Sequence, residues 1–218
     1  MIDRRISALL PVALSLSLAA CGGANAYVDH VCGSAPNADK CTGDLDVPSA
    51  RLEDFERAGR LAIDVVYSDR FTDEVRQFMV AHSSDADLLG AWAGRSAEQI
   101  VAGLRSSLVG VRVESAGGAR RWFAFKIYGT IAKEGAVASG GPVEINSYAA
   151  RGMSAAQLAG TIVHEVAHGI GLTHPHMGGP LSKDWSVALC EPPYLLGAIV
   201  EQLATNHSET ALPHCPRL

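Results

Sequence analysis

Between Thr161 and His176 the chain reads T-I-V-H-E-V-A-H-G-I-G-L-T-H-P-H, which sets His164, Glu165, His168, Gly171 and His174 in the spacing HExxHxxGxxH. An α-helix turns about 100° per residue, so His164 and His168 lie about 40° apart on one face, one turn removed from each other. Both imidazoles can reach one ion. Neutral imidazole suits zinc, and a catalytic zinc ion usually keeps three protein ligands and leaves its fourth position to water. A third ligand is therefore expected. On a continued helix His174 would fall on the wrong side and too far along the axis, so the helix has to end first. Gly169 and Gly171 allow that. Glycine tolerates positive φ at a helix C-terminus, so Gly171 can turn the chain back and bring His174 to the ion, and Pro175 then forbids further helix. Glu165 adjoins the first ligand and points toward the water position. A carboxylate there can act as general base and later pass the proton to a leaving amine. His176 is the alternative third ligand, without the matched spacing, and Glu191 or Glu201 would serve if that ligand were a distant glutamate. The competing reading is an amphipathic core helix whose histidines are merely hydrogen-bonded. HExxH alone arises by accident in about one chain in a few hundred of this length, and the added glycine and histidine lower that by roughly another factor of several hundred.

The five matched positions resemble the long motif of the metzincin clan of zinc metallopeptidases. The resemblance extends over one helix and a turn. It implies that His164, His168 and His174 bind one catalytic Zn²⁺ and that Glu165 is the catalytic acid/base. The implied activity is that of a zinc-dependent endopeptidase acting on protein or peptide substrates, in which a zinc-held water activated by Glu165 attacks the peptide carbonyl. The clan also carries a methionine in a tight turn downstream of the third histidine. Here Met177 is the only later methionine, three residues past His174, and Ser186 to Leu189, at a more suitable distance, contains none. In some metzincins a tyrosine polarises the substrate carbonyl, which makes Tyr194 the candidate here; a capped core tyrosine is the rival reading. The rival function is a lipoprotein that binds zinc or a partner without hydrolysing anything. Three histidines would suit it equally well, but Glu165 would not, because a pure binding site gains nothing from a carboxylate placed at the water.

A site of this kind needs a rigid helix under it. Ser154 and Gln157 form a capping-box pattern, which predicts a buried central helix from about Ala155 to Ile170, with Ala155, Leu158, Ile162, Val163 and Val166 making its apolar contacts. Upstream, Leu52, Phe55, Ala58, Leu61, Ala62 and Val65 repeat at helical spacing behind Ser49, a plausible N-cap, and predict a first helix of about 17 residues. Phe71, Val75, Phe78 and Met79 mark a second. Ser96 caps a third through Ala97, Ile100, Val101, Leu104 and Leu108, ended by Gly110. Period two then takes over. Val111, Val113 and Ser115 lead through Gly117 and Gly118 to Trp122, Ala124, Lys126 and Tyr128, the pattern of a two-stranded hairpin. Pro142 to Asn146 form a further short strand candidate, and residues 142–148 are the candidate for the sheet edge beside the metal helix, where an extended substrate can add as a strand. Pro193 opens a last helix from Tyr194 to about Ala204. Together with the resemblance, these elements predict an α+β, zincin-like single domain over residues 49–218: N-terminal helices, a small mixed sheet, the central metal-binding helix and a C-terminal helix.

The start of the chain carries export signals. Arg4 and Arg5 precede an apolar run from Ile6 to Leu18, which is too short for a bilayer span of about 20 residues. The run ends in Leu18-Ala19-Ala20-Cys21-Gly22, which resembles the lipobox of bacterial lipoproteins. That resemblance implies a signal peptide over residues 1–20, lipidation of Cys21, and membrane attachment by a lipid anchor in the cell envelope; Gly22 after the cysteine points to the outer membrane. An ordinary secretory signal cleaved near the same alanines is the alternative. Residues 21–48, rich in Gly, Ala, Asn and Asp, predict a tether with a small disulfide loop. Cys32, Cys41, Cys190 and Cys215 remain, an even number suited to an oxidising compartment, with three possible connectivities. The simplest pairs Cys32 with Cys41 and Cys190 with Cys215. A structural zinc site is the rival, but no Cys-x2-Cys spacing supports it. A net charge of −5 with no basic cluster gives no reason to expect nucleic acid as a partner.

Overall fold

The computed structural model describes residues 25–83, 90–116, 132–134, 142–174 and 190–205. Its first two strands, β1 (Asn25–Val28) and β2 (Leu45–Pro48), pair antiparallel. The chain between them is drawn together by a disulfide from Cys32 to Cys41, as expected, and by the Thr42 amide donating to the Val31 carbonyl. Three more strands follow, β3 (Val113–Ala116), β4 (Ala132–Glu134) and β5 (Val143–Asn146), and the five form one mixed sheet in the order β1-β2-β3-β5-β4. β2 and β5 flank β3 and run parallel to it, while β4 pairs antiparallel with β5. Leu45, Val113 and Val143 stand directly opposite one another across three strands and are fully buried, and Val47 and Ile145 extend the same apolar face.

Three expectations are corrected here. Residues 25–48 are not simply a tether: two strands and the buried Val31, Leu45 and Val47 belong to the sheet and core. β3 is not the first arm of a simple hairpin, because its two described neighbours are both parallel; Trp122 to Tyr128 lie outside the described residues. Residues 143–146 are not the sheet edge either, since β4 lies beyond them, and among the described residues β4 is the edge on that side.

Six helices complete the described fold. α1 (Leu52–Val66), α2 (Asp69–Ala81) and α3 (Ala97–Leu108) are the expected N-terminal set. Ser49 does not cap α1; it opens a 3-10 turn, Ser49–Arg51, that bends the chain out of β2, and Arg51 takes the N-cap position. The inward face of α1 carries Phe55, Ala58, Ala62, Ile63 and Val66, whereas Leu61 is only partly buried. Ser68 caps α2, and Ser96 with Gln99 forms a full capping box on α3. A single turn, α4 (Ser147–Ala150), leads to α5 (Ala155–Gly169), and α6 (Pro192–Ala204) comes last.

α5 is the centre of the domain. It packs against α1, α3 and α6 and against strands β4 and β5, which fits a helix that is apolar nearly all round. Its tightest crossing is with α6. A Cβ at Gly160 would lie 2.6 Å from the Gly197 carbonyl oxygen, and one at Gly197 would lie 2.8 Å from that of Gly160, so glycine on both helices lets the two backbones touch. The arrangement is the expected α+β single domain. Among the described residues no helix is long and apolar enough to cross a membrane.

Candidate metal centre

The local chemistry at both ends of α5 sets up the site. At its start the Gln157 amide donates to the Ser154 hydroxyl, and the Ser154 amide donates back to the Gln157 side chain, so the capping box read from the sequence is formed. At its end Gly171 has φ +86°, the left-handed conformation open to glycine. The Gly171 amide donates to the His168 carbonyl and the Leu172 amide to the Ala167 carbonyl, the paired closure of a Schellman motif, with Leu172 fully buried beneath it. Arg95 donates to the Ile170 carbonyl and sets a positive charge at the negative end of the helix. This reversal returns His174 to the face that carries His164 and His168.

The three imidazoles converge. Their ring centroids are 4.7 to 5.1 Å apart, and one ring nitrogen from each lies within 4.8 Å of the others, close enough to share a metal ion. Two of the rings also have an outward partner. His168 Nδ1 donates to the Leu172 carbonyl at 2.9 Å, which leaves its Nε2 as the inward acceptor. His174 Nδ1 donates to Glu191 Oε2 at 2.9 Å.

Burial, reinforced by His168 and His174, pushes the His164 pKa down to about 3, and burial with His168 pushes that of His174 down to about 4, so both rings are neutral near pH 7. A neutral imidazole carries one N–H, and His174 spends its own on Glu191. His164 Nε2 and His174 Nε2 lie 3.3 Å apart. That is the spacing required by a tetrahedral zinc ion, whose Zn–N bonds of about 2.0–2.1 Å set neighbouring ligand nitrogens about 3.3–3.4 Å apart. The donor set fits a metal with a preference for imidazole nitrogen.

Glu165 is 6% exposed and its Oε1 stands 4.0 Å from His164 Nε2, beside the converging nitrogens but not among them. The Tyr194 ring lies 4.5 Å from the rings of both His164 and His174. Burial, then the charges of Glu191 and Glu165, raises its phenol pKa, so the hydroxyl keeps its proton. β4 and β5 pass beside α5, with β4 at the described edge.

His164, Glu165, His168, Gly171, His174 and Tyr194 are thus brought together as the sequence suggested. Glu191 belongs to the site in a different place from the one considered for it: its carboxylate accepts from His174 and is not one of the converging groups. Nothing in the motif announces that contact, although a glutamate directly before Pro192-Pro193 marks a helix start and could have suggested an N-terminal carboxylate at the site. Glu201 lies further along α6, beside Gly160, away from the metal group. A second cluster, His30 with Cys32 and Cys41, has its sulfurs joined in the disulfide and unavailable as thiolate ligands. Cys190 is also disulfide-bonded. Its expected partner Cys215, the lipobox Cys21, Met177 and the alternative ligand His176 lie outside the described residues.

Compared with family models, curated protein sequences and solved structures, the chain finds no match.

Proposed function

We propose that this protein is a zinc-dependent endopeptidase of metzincin-like type, exported and held at the cell envelope by lipid on Cys21. The observation that carries the reading is the convergence of three imidazoles with a buried carboxylate at their side. His164, His168 and His174 hold the zinc ion. Bound there, it supplies Lewis acidity toward a carbonyl and toward water.

The remaining work falls to the chain. Glu165 takes a proton from the attacking water and delivers it to the leaving amine, and its buried position keeps the transfer local. The Tyr194 phenol, which stays protonated, donates to the oxygen that gains charge as the carbonyl becomes tetrahedral. β4, the edge strand on that side among the described residues, would receive an extended substrate, which adds as another strand and runs its scissile bond past α5. The export reading rests on the lipobox-like Leu18 to Gly22, and the disulfides suit an oxidising compartment.

The test is incubation of zinc-loaded protein with a mixed peptide library, with and without chelator. Chelator-sensitive cleavage at internal peptide bonds supports the proposal. Zinc uptake without cleavage of any peptide would instead make the protein a zinc-binding lipoprotein.

A further inference from the structure

We infer that Glu191 is a positioning residue for His174, and that the first turn of α6 is the outer support of the metal centre. This rests on reading His164, His168 and His174 as metal ligands, and it assigns Glu191 a role outside the ligand set.

His164 and His168 are fixed by the helix that carries them. His174 follows the Gly171 reversal on irregular chain, so its ring needs an external restraint. Glu191 provides it. The carboxylate is 1% exposed and accepts from His174 Nδ1 at 2.9 Å, the length of a charge-assisted hydrogen bond. Burying a carboxylate is costly, and helix capping does not account for it: Glu191 is the N-cap of α6, yet its side chain makes no capping bond. The next two residues, Pro192 and Pro193, have no N–H to offer it. The carboxylate reaches the histidine instead. Holding the proton on Nδ1 aims the Nε2 lone pair of His174 at the ion, as carboxylate partners of metal-bound histidines do.

The same turn also borders His164: the Tyr194 ring lies against His164 and His174 together. The contact of Gly197 with Gly160 sets how close this turn comes to α5, and a Cβ at Gly197 would already lie 3.5 Å from that of His164.

Zinc affinity, measured by competition with a chromophoric chelator, tests the role without using hydrolysis. Glu191→Ala is expected to weaken zinc binding about 10- to 100-fold. Glu191→Gln, whose amide oxygen can still accept from Nδ1, is expected to lose less. In a His174→Ala background the Glu191→Ala change is expected to cost no more than about twofold, because its effect passes through His174. Wild-type affinity in Glu191→Ala overturns the inference, as does an equal loss in both backgrounds, which would make Glu191 a ligand in its own right. Should Glu191→Ala not fold, histidine ¹⁵N NMR of the metal-free wild-type protein decides the matter: His174 protonated on Nδ1 supports the inference, and protonation on Nε2 overturns it. A wild-type protein that takes up no zinc refutes this inference along with the metal centre, whereas one that binds zinc tightly but cleaves nothing refutes the peptidase reading alone.

Discussion

Two imidazole nitrogens lie 3.3 Å apart on His164 and His174, and both rings are buried and neutral near pH 7. That has a consequence for acid stability. The ordinary histidine pKa is about 6.5, and in the folded metal-free chain burial lowers it to about 3 for His164 and about 4 for His174. On acidification the unfolded chain takes up protons at these two positions before the native chain can. Their contribution to stability is therefore complete above about pH 6.5 and is lost as the pH falls from there toward the folded values, at up to about 1.4 kcal/mol per pH unit for each ring. Urea unfolding of metal-free protein at pH 7.0, 5.5 and 4.5 should show a falling midpoint, and midpoints independent of pH would contradict the burial argument. At this scale the sequence was highly informative. HExxHxxGxxH names candidate ligands and a candidate base by side-chain type and spacing alone, and all of them meet in space. The partners of the outward-facing nitrogens are not legible, because the Leu172 carbonyl is a backbone group and Glu191 is 17 residues from His174.

The metal helix depends on two glycine positions with different demands. Gly171 requires a left-handed backbone, so Gly171→Ala should cost about 1–2 kcal/mol and displace His174. Gly197 requires closeness. The methyl of Gly197→Ala would press on the Gly160 carbonyl and push α6 away from α5, at a cost of about 1–3 kcal/mol, and would carry the supporting turn of Glu191 and Pro193 with it. Both variants should lose zinc affinity along with stability, measured by chelator competition and thermal melting. A Gly197→Ala protein with unchanged affinity would show that the α5–α6 contact does not tune the site. Helix ends were legible where their signals are local: Ser96 with Gln99 and Ser154 with Gln157 both form the expected boxes. Strand pairing was not. Parallel partners such as Leu45, Val113 and Val143 are far apart in sequence, and four-residue strands carry too short an alternation to declare their neighbours. For that reason the segment ahead of residue 49 read as linker, and the edge was assigned one strand too far inward.

At the scale of the molecule, one core joins the sheet, the N-terminal helices and α5, and the metal should tie the last part of the chain into it. Zinc that binds only the folded state stabilises it by about 2.7 kcal/mol at a free concentration 100 times the dissociation constant. Chelator should thus lower the melting temperature of zinc-loaded protein, and a melting curve indifferent to chelator would argue that the three histidines serve packing instead. The fold class follows from the order of helical and alternating segments, which the chain displays openly. The proposed activity rests on fewer residues, and Glu165 carries most of the proposal. The most direct measurement compares wild-type protein with Glu165→Gln for zinc content and for cleavage of a mixed peptide library. The expected result is equal zinc in both, chelator-sensitive cleavage by the wild type, and a loss of about 10²- to 10⁴-fold in the variant. Equal cleavage by the two proteins would contradict the account.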